Sequence, residues 1–173
     1  MRTAKAAALT VIVLVLVVWI VSYGLLRSGG LSARNKPGKL EYAVANYALS
    51  VSMPASAKAV ANPIKATPDT LKEANKYYSE NCTVCHANNG SGKTDLARGL
   101  SPEVPDLRSA HIQRLADGQM FYIIKNGVRF TAMPSWNFND KQIWELVAFI
   151  RRFANQNASH QPLGKAAAAD PPR

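Results

Sequence analysis

Cys82-Thr83-Val84-Cys85-His86 is the stretch on which this sequence turns. It has the form C-x-x-C-H, the pattern of covalent c-type haem attachment. Two thiols three positions apart on one helical turn can each add to a vinyl group of the same porphyrin. The next residue can then donate a ring nitrogen to the iron. The chain has 2 cysteines, so none remains outside the motif. A redox C-x-x-C would want a βαβ context, and no stretch alternates with period two. A zinc site needs further ligands close by, and His111 and His160 lie far along the chain. The reading is one covalent haem c on Cys82 and Cys85, with His86 as proximal axial ligand.

The iron then needs a sixth ligand or an open face. Met133 is the expected ligand, 133 − 86 = 47 positions after His86 and directly before Pro134. Pro134 removes a backbone donor and stiffens the loop that presents the thioether. A thioether opposite an imidazole favours Fe(II) and raises the potential. Met120 sits in an apolar helical run and reads as core, and Met53 lies upstream. His111 reads as an exposed or capping residue. A ligating histidine gives its other N–H to an acceptor; a backbone carbonyl between Thr94 and Ala97 is expected there. Trp136, Arg98 and Arg129 fit haem propionates and fit ordinary packing or surface equally.

The formal net charge is +10 over 173 residues. Residues 68–153 hold 11 Lys/Arg and 9 Asp/Glu, 11 − 9 = +2, so the excess lies in the first 67 residues and the tail. No nucleic-acid motif or aromatic-interleaved basic stripe accompanies it, which excludes nucleic acid as a partner. Arg27, Arg34, Lys36 and Lys39 follow an apolar segment. They suit anionic lipid headgroups or plain solvation.

That segment, residues 6–26, carries no charge over 21 positions. At helical rise it spans roughly the 30 Å of a bilayer core. Trp19 and Tyr23 sit towards its far end, as interfacial rings do. A cleaved signal peptide, with Ser22-Tyr23-Gly24 at the cleavage point, is the competing reading. The run is longer than an ordinary signal h-region, so an uncleaved anchor is expected. Basic residues flank both its ends, so the expected orientation, residues 1–5 on the cytoplasmic side, follows from haem attachment rather than from charge. Residues 27–67 form a connector. Within it Leu40, Val44, Tyr47 and Val51 recur at helical spacing, one stripe of a short amphipathic helix suited to the domain, the membrane surface or a partner. Pro54 ends it.

A globular part is expected over residues 68–155. Thr67 can cap its first helix, with Pro68 and Asp69 in the first turn, and Ala74 and Tyr78 share a face. Residues 86–108 are loop-rich. Residues 112–126 read helical, weakened at Asp117-Gly118, with Gly127 as a stop. Asp140 can cap a last helix reaching about Asn155, with Ile143, Trp144, Val147 and Ile150 on one face. Residues 156–173 are Ala/Pro-rich and expected to be disordered. A domain near 85 residues is short of core, and a buried porphyrin supplies the missing apolar surface.

Tyr78-Ser79-Glu80-Asn81-Cys82-Thr83-Val84-Cys85-His86 resembles the aromatic-x-x-x-C-x-x-C-H start of mono-haem class I cytochromes c. The run from Asn126-Gly127 to Met133-Pro134-Ser135-Trp136 resembles the bacterial Gly-to-Met-Pro-x-Trp axial loop of the same family. Ile143-Trp144-Glu145-Leu146-Val147-Ala148-Phe149-Ile150-Arg151 resembles its last helix. The resemblance covers about half the chain, residues 68 to 153. It implies an all-α protein: an N-terminal transmembrane helix plus a small helical domain wrapped round one covalently attached haem. Ala74 and Tyr78 would cross the last helix near Leu146 and Phe149. His86 and Met133 carry over as axial ligands, Cys82 and Cys85 as thioether attachments. Two positions depart: Ala87 stands where many relatives have Gly after the motif, and Thr94-Asp95 where many have Gly-Pro.

Since c-type haem is attached outside the cytoplasmic membrane in this family, the resemblance places the haem domain on the periplasmic side of the inner membrane. It implies an electron carrier rather than an enzyme, meeting redox proteins and membrane lipid. A haem enzyme or gas sensor with an open iron site is the alternative, and an obligate haem subunit of a larger membrane redox complex is another.

Overall fold

The computed structural model describes residues 2–29, 32, 33 and 35–154. The expected disordered tail, 156–173, lies outside them, as does His160. Among the described residues every regular element is helical. They fall into two units, Met1–Lys36 and Pro37–Arg173.

The first unit is one helix, α1 (Arg2–Arg27). Its segment Lys5–Arg27 is long and apolar enough to cross a membrane, with mean hydropathy 2.7. Its leucines, valines and isoleucines are all exposed, as they must be if lipid is their solvent. Trp19 and Tyr23 stack, 5.6 Å between centroids, and Arg27 lies over the Tyr23 ring.

In the second unit, α2 (Lys39–Ser52) opens where Glu41 accepts the Gly38 N–H. It ends at extended Met53 before Pro54. Then α3 (Pro68–Asn81) starts as its sequence directs: Thr67 accepts the Thr70 N–H, and Pro68 occupies the first position, where a missing N–H costs nothing. The helix pauses at Cys82, and one further turn, α4 (Thr83–His86), carries the motif.

Residues 112–126 do not form one helix. A single turn, α5 (Ala110–Gln113), is capped by Ser109, and α6 (Asp117–Asn126) starts afresh. Gly118 marks the join for a packing reason. A Cβ there would lie 2.3 Å from the Ala57 carbonyl oxygen, and the Gly118 N–H donates to Val60 O at 3.1 Å. α7 (Asp140–Arg151) is capped by Asn139 rather than Asp140: the Asn139 side chain accepts the Gln142 N–H, while Gln142 reaches back to the Asn139 N–H. Asp140, at the first helical position, pairs with Lys125 at 2.7 Å.

The core forms where α7 crosses α3, with α6 against its other side. Ala74 and Ile143 are fully buried, and Tyr78 meets Phe149 at 5.1 Å and Phe153 at 5.5 Å. Ala74, Tyr78 and Phe149 are crossing residues that the resemblance implies; Ile143 and Phe153 join them. α7 is buried more widely than one stripe, with Leu146, Val147, Phe149 and Ile150 all inside. Trp144 stacks on Phe121.

The second half of the connector is part of this wall. The Asn62 N–H donates to Asp117 Oδ2 at 3.1 Å, and its side-chain amide donates to Trp144 O at 2.8 Å. Asp117 Oδ1 meanwhile accepts from Arg151 Nε and Nη2 at 2.8 and 2.6 Å. Arg151 also donates to the carbonyls of Gln113 and Leu115. One carboxylate thus ties connector, α6 and α7 together.

Candidate functional site

Cys82 closes α3 and opens α4, whose turn carries Cys85 and His86. The turn exists because Cys85 and His86 N–H both return to Cys82 O, at 3.2 and 2.8 Å. All three side chains are half-buried, and Cys82 packs on the core. As a free thiol, Cys82 is pushed up to about 11 by burial, with the Cys85 thiol adding to the effect. A neutral thioether at that position escapes this cost. Among the described residues no three His, Cys, Asp or Glu side chains come together as a metal-holding cluster.

Burial holds the His86 imidazole below its usual range, and the Pro105 backbone carbonyl facing the ring opposes that shift. The ring is therefore neutral at pH 7 and has a lone pair to offer a metal. Its Nδ1 is enclosed and closes no hydrogen bond of ordinary geometry. The carbonyl that faces the ring is that of Pro105, not one between Thr94 and Ala97 as expected. Thr94 does another job: its hydroxyl donates to Val84 O at 2.7 Å and accepts the Ala97 N–H at 3.0 Å, bracing the motif turn.

Pro105 is held by a crossing of loops. The Leu107 N–H donates to Gly90 O at 2.8 Å, and the Gly92 N–H donates to His86 O at 3.0 Å. At Gly92, φ is +67°, and a Cβ would lie 2.7 Å from Val104 O and 3.1 Å from Pro105 O. Only glycine lets the two backbones approach this closely. Sequence reasoning passed over Pro105. The available signal was the Val104-Pro105 step, whose fixed φ makes a rigid carbonyl.

Ala87, where relatives carry glycine, sits at φ +60° and ψ +163°. That region is essentially a glycine region. The Tyr78 hydroxyl donates to Ala87 O at 2.8 Å from the buried end of α3, so the motif's exit is pinned to the core. Burial, then the Cys82 thiol, raises the Tyr78 pKa, keeping the phenol protonated to donate.

Met133 is half-buried in the loop between α6 and α7. Both its backbone groups are used. Its N–H donates to Thr131 Oγ1 at 3.0 Å and its carbonyl accepts the Val128 N–H at 3.1 Å. Thr131 in turn donates to Val128 O at 2.7 Å. Gly127, at φ +68°, lies against this loop so closely that a Cβ would meet Met133 O at 2.7 Å. The thioether is thus carried by a stapled loop rather than a helix.

Trp136, three residues on, stacks on Phe138 with ring planes 10° apart, and its buried Nε1 has no partner. An enclosed indole N–H with nothing to bond is unusual in a finished fold. It suits an acceptor supplied by a bound group, as a haem carboxylate is. The other propionate partners considered are placed differently. Arg98 is exposed and pairs with Asp95, and Arg129 is exposed over the Phe130 ring. Met120 is buried core, Met53 is buried at the end of α2, and His111 is exposed on α5. Two thiols and a neutral imidazole on one turn, a stapled thioether loop and an orphaned indole N–H fit a haem c.

The family model described as cytochrome c oxidase, cbb3-type, subunit III matches residues 69–150, from the second residue of α3 to the last but one of α7. No curated protein matches the chain. Among solved structures, the reducing HAO-like protein complex Kustc0457/Kustc0458 of Kuenenia stuttgartiensis is similar at 20% identity and TM-score 0.48, over 53% of this chain. The chain spans less than half of that one, 46%. The matched span holds the whole C-x-x-C-H turn, the Met133 loop and the α3–α7 crossing, and residues 69–150, just under half of the chain, are a cytochrome c domain.

Proposed function

We propose that the protein is a membrane-anchored c-type cytochrome carrying single electrons between redox partners at the periplasmic face. The observation that supports this most directly is the C-x-x-C-H turn braced at the end of α3 inside the family-matched span. A haem bound there supplies one-electron chemistry through its iron. Cys82 and Cys85 would hold it by thioethers, and the His86 nitrogen and the Met133 sulfur would ligate its iron. Trp136 Nε1 would donate to a propionate. The Tyr78–Ala87 bond and the Thr131 staple keep both ligand segments from shifting when charge changes, and a small shift keeps reorganisation low. α1 anchors the chain, with residues 1–5 on the cytoplasmic side, and brings the haem domain to a high local concentration beside membrane partners.

Absorption spectroscopy and mass spectrometry of detergent-extracted protein test this. The expected result is a mass increased by one haem, a weak red band from sulfur on Fe(III), and no carbon monoxide binding on reduction. A mass equal to the polypeptide alone, or ready carbon monoxide binding, overturns it. The second reading, an obligate haem subunit of a larger membrane complex, is favoured by the matched family's description as an oxidase subunit. Mass measurement in mild detergent from native membranes separates a free carrier from that.

A further inference from the structure

α2 is unlike the other long helices of its unit: none of its residues is buried. Leu40, Val44, Tyr47 and Val51 fall at spacings of four, three and four, one stripe along the helix, and are 77%, 58%, 71% and 62% exposed. The opposite side is the inward one, with Asn46 and Leu49 half-buried and Met53 buried where the helix ends. The helix therefore keeps a partly polar side half-buried and turns its apolar stripe outward. That is the reverse of what a soluble helix does.

Two observations choose the occupant. First, α1 ends at Arg27 and α2 starts at Lys39. Twelve residue steps reach at most about 40 Å, so α2 cannot leave the neighbourhood of the bilayer surface that α1 enters. Second, the charge is one-sided. Glu41 is the sole acidic residue before Asp69, whereas Arg27, Arg34, Lys36 and Lys39 precede or open the helix. A basic approach to an apolar stripe that includes a tyrosine matches an anionic headgroup layer over acyl chains.

We infer that α2 is a membrane-surface helix, lying in the headgroup boundary with Leu40, Val44, Tyr47 and Val51 towards the acyl chains. The inference rests on α1 being an uncleaved anchor. With α2 so placed, the connector is a second foot that fixes how the haem domain stands over the bilayer.

The test uses the full-length holoprotein in phosphatidylethanolamine–phosphatidylglycerol nanodiscs. With both native sulfurs held as thioethers, Val44→Cys, Val13→Cys and Lys76→Cys each give one site for a nitroxide. Collisions with oxygen, which concentrates in lipid, are compared with those of a water-soluble nickel chelate. Lipid contact predicts an oxygen-to-nickel ratio at Val44 that rises towards that of Val13 and well above that of Lys76. A ratio at Val44 equal to that at Lys76, with Val13 still lipid-like, overturns the inference and leaves the anchor standing. A water-like ratio at Val13 overturns the anchor and the inference with it. Shielding of Val44 from both reagents also overturns it, identifying a second copy if the spectrum broadens by spin–spin coupling and the protein's own surface if it does not.

Discussion

The Tyr78 hydroxyl donates a 2.8 Å hydrogen bond to the carbonyl of Ala87, a residue held at φ +60°. The bond joins the most buried phenol of the core to the first residue after the haem motif. It locks in a backbone that costs alanine on the order of 1–3 kcal/mol. Ala87→Gly should remove most of that strain, less about 0.5–1 kcal/mol for the glycine's extra freedom when unfolded. The expected outcome is a gain near 1 kcal/mol and a higher melting temperature, with the haem spectrum unchanged. Tyr78→Phe should cost about 1 kcal/mol, the net worth of one hydrogen bond. Denaturant titration of both variants checks the pair.

Gly92 and Pro105 set the histidine. A side chain at Gly92 must push back the Val104–Pro105 backbone, which it would meet at 2.7 and 3.1 Å, besides adopting φ +67°. Gly92→Ala should cost at least about 1–2 kcal/mol from the conformation alone. It should also carry the Pro105 carbonyl away from the imidazole. An acceptor on the second nitrogen makes a ligating histidine more basic and favours Fe(III), so losing it should raise the reduction potential. Gly99→Ala, whose Cβ meets nothing within 4 Å, is the control. Redox titration of both variants decides.

Trp136 Nε1 gives opposite answers with and without an acceptor. If a propionate takes its hydrogen, Trp136→Phe keeps the stacking on Phe138 but leaves that carboxylate less compensated. The potential should then fall, with a stability loss of about 1–3 kcal/mol. If the N–H is truly orphaned, the same change removes a buried unsatisfied donor and the protein should become more stable. The first outcome is the expected one, read by redox titration and denaturation together.

What could be read in advance follows a physical pattern. The membrane-length helix, the C-x-x-C-H turn and the Met133 loop are written in side-chain chemistry and spacing and are legible there, whereas the α3–α7 crossing follows only from the family resemblance. The start of α3 was legible too, because Thr67 and Pro68 act locally. The cap of α7 was misplaced by one residue: Asn139 and Asp140 are both good caps, and only the Gln142 reach-back favours the first. The Pro105 acceptor was missed because any residue has a carbonyl. The docking of the connector was missed for a similar reason. Its contacts include backbone groups of Ala57 and Val60 against Gly118, and the Gly118 that admits them reads in sequence as a helix weakness.

Asp117 is the point at which that docking can be undone. Its carboxylate takes Arg151 on one oxygen and the Asn62 N–H on the other, in a part-buried setting. Asp117→Asn leaves Arg151 its two carbonyl partners but no counter-charge, and should cost about 1–3 kcal/mol. The loss should be local: faster amide exchange at Asn62 and Gly118, and proteolysis between Ala55 and Ile64, with the haem spectrum and potential unchanged. Exchange that rises uniformly across α3 and α7 would show instead that the connector is integral to the domain's stability.

Asp106 supplies the pH dependence. The Arg108 side chain beside it donates from Nε and Nη2 at 2.8 and 2.7 Å, and the Arg108 N–H donates at 2.9 Å. Together these hold the carboxyl below the usual carboxylate range, against a smaller opposing effect of burial. The folded pKa is below the unfolded one, so the contribution is fully present above about pH 4, the ordinary aspartate value. It is lost as pH falls through the lowered folded value. The carboxylate is over a third exposed, so solvent screens the pair and its worth is under about 1 kcal/mol. Asp106→Asn should therefore lower stability slightly at pH 7 and flatten the acid limb of the stability profile below pH 4. Because Asp106 directly follows Pro105, the variant should also loosen the histidine's acceptor and raise the potential in the direction of Gly92→Ala. A variant with an unchanged acid limb would show that the Asp106–Arg108 pair contributes nothing to the fold.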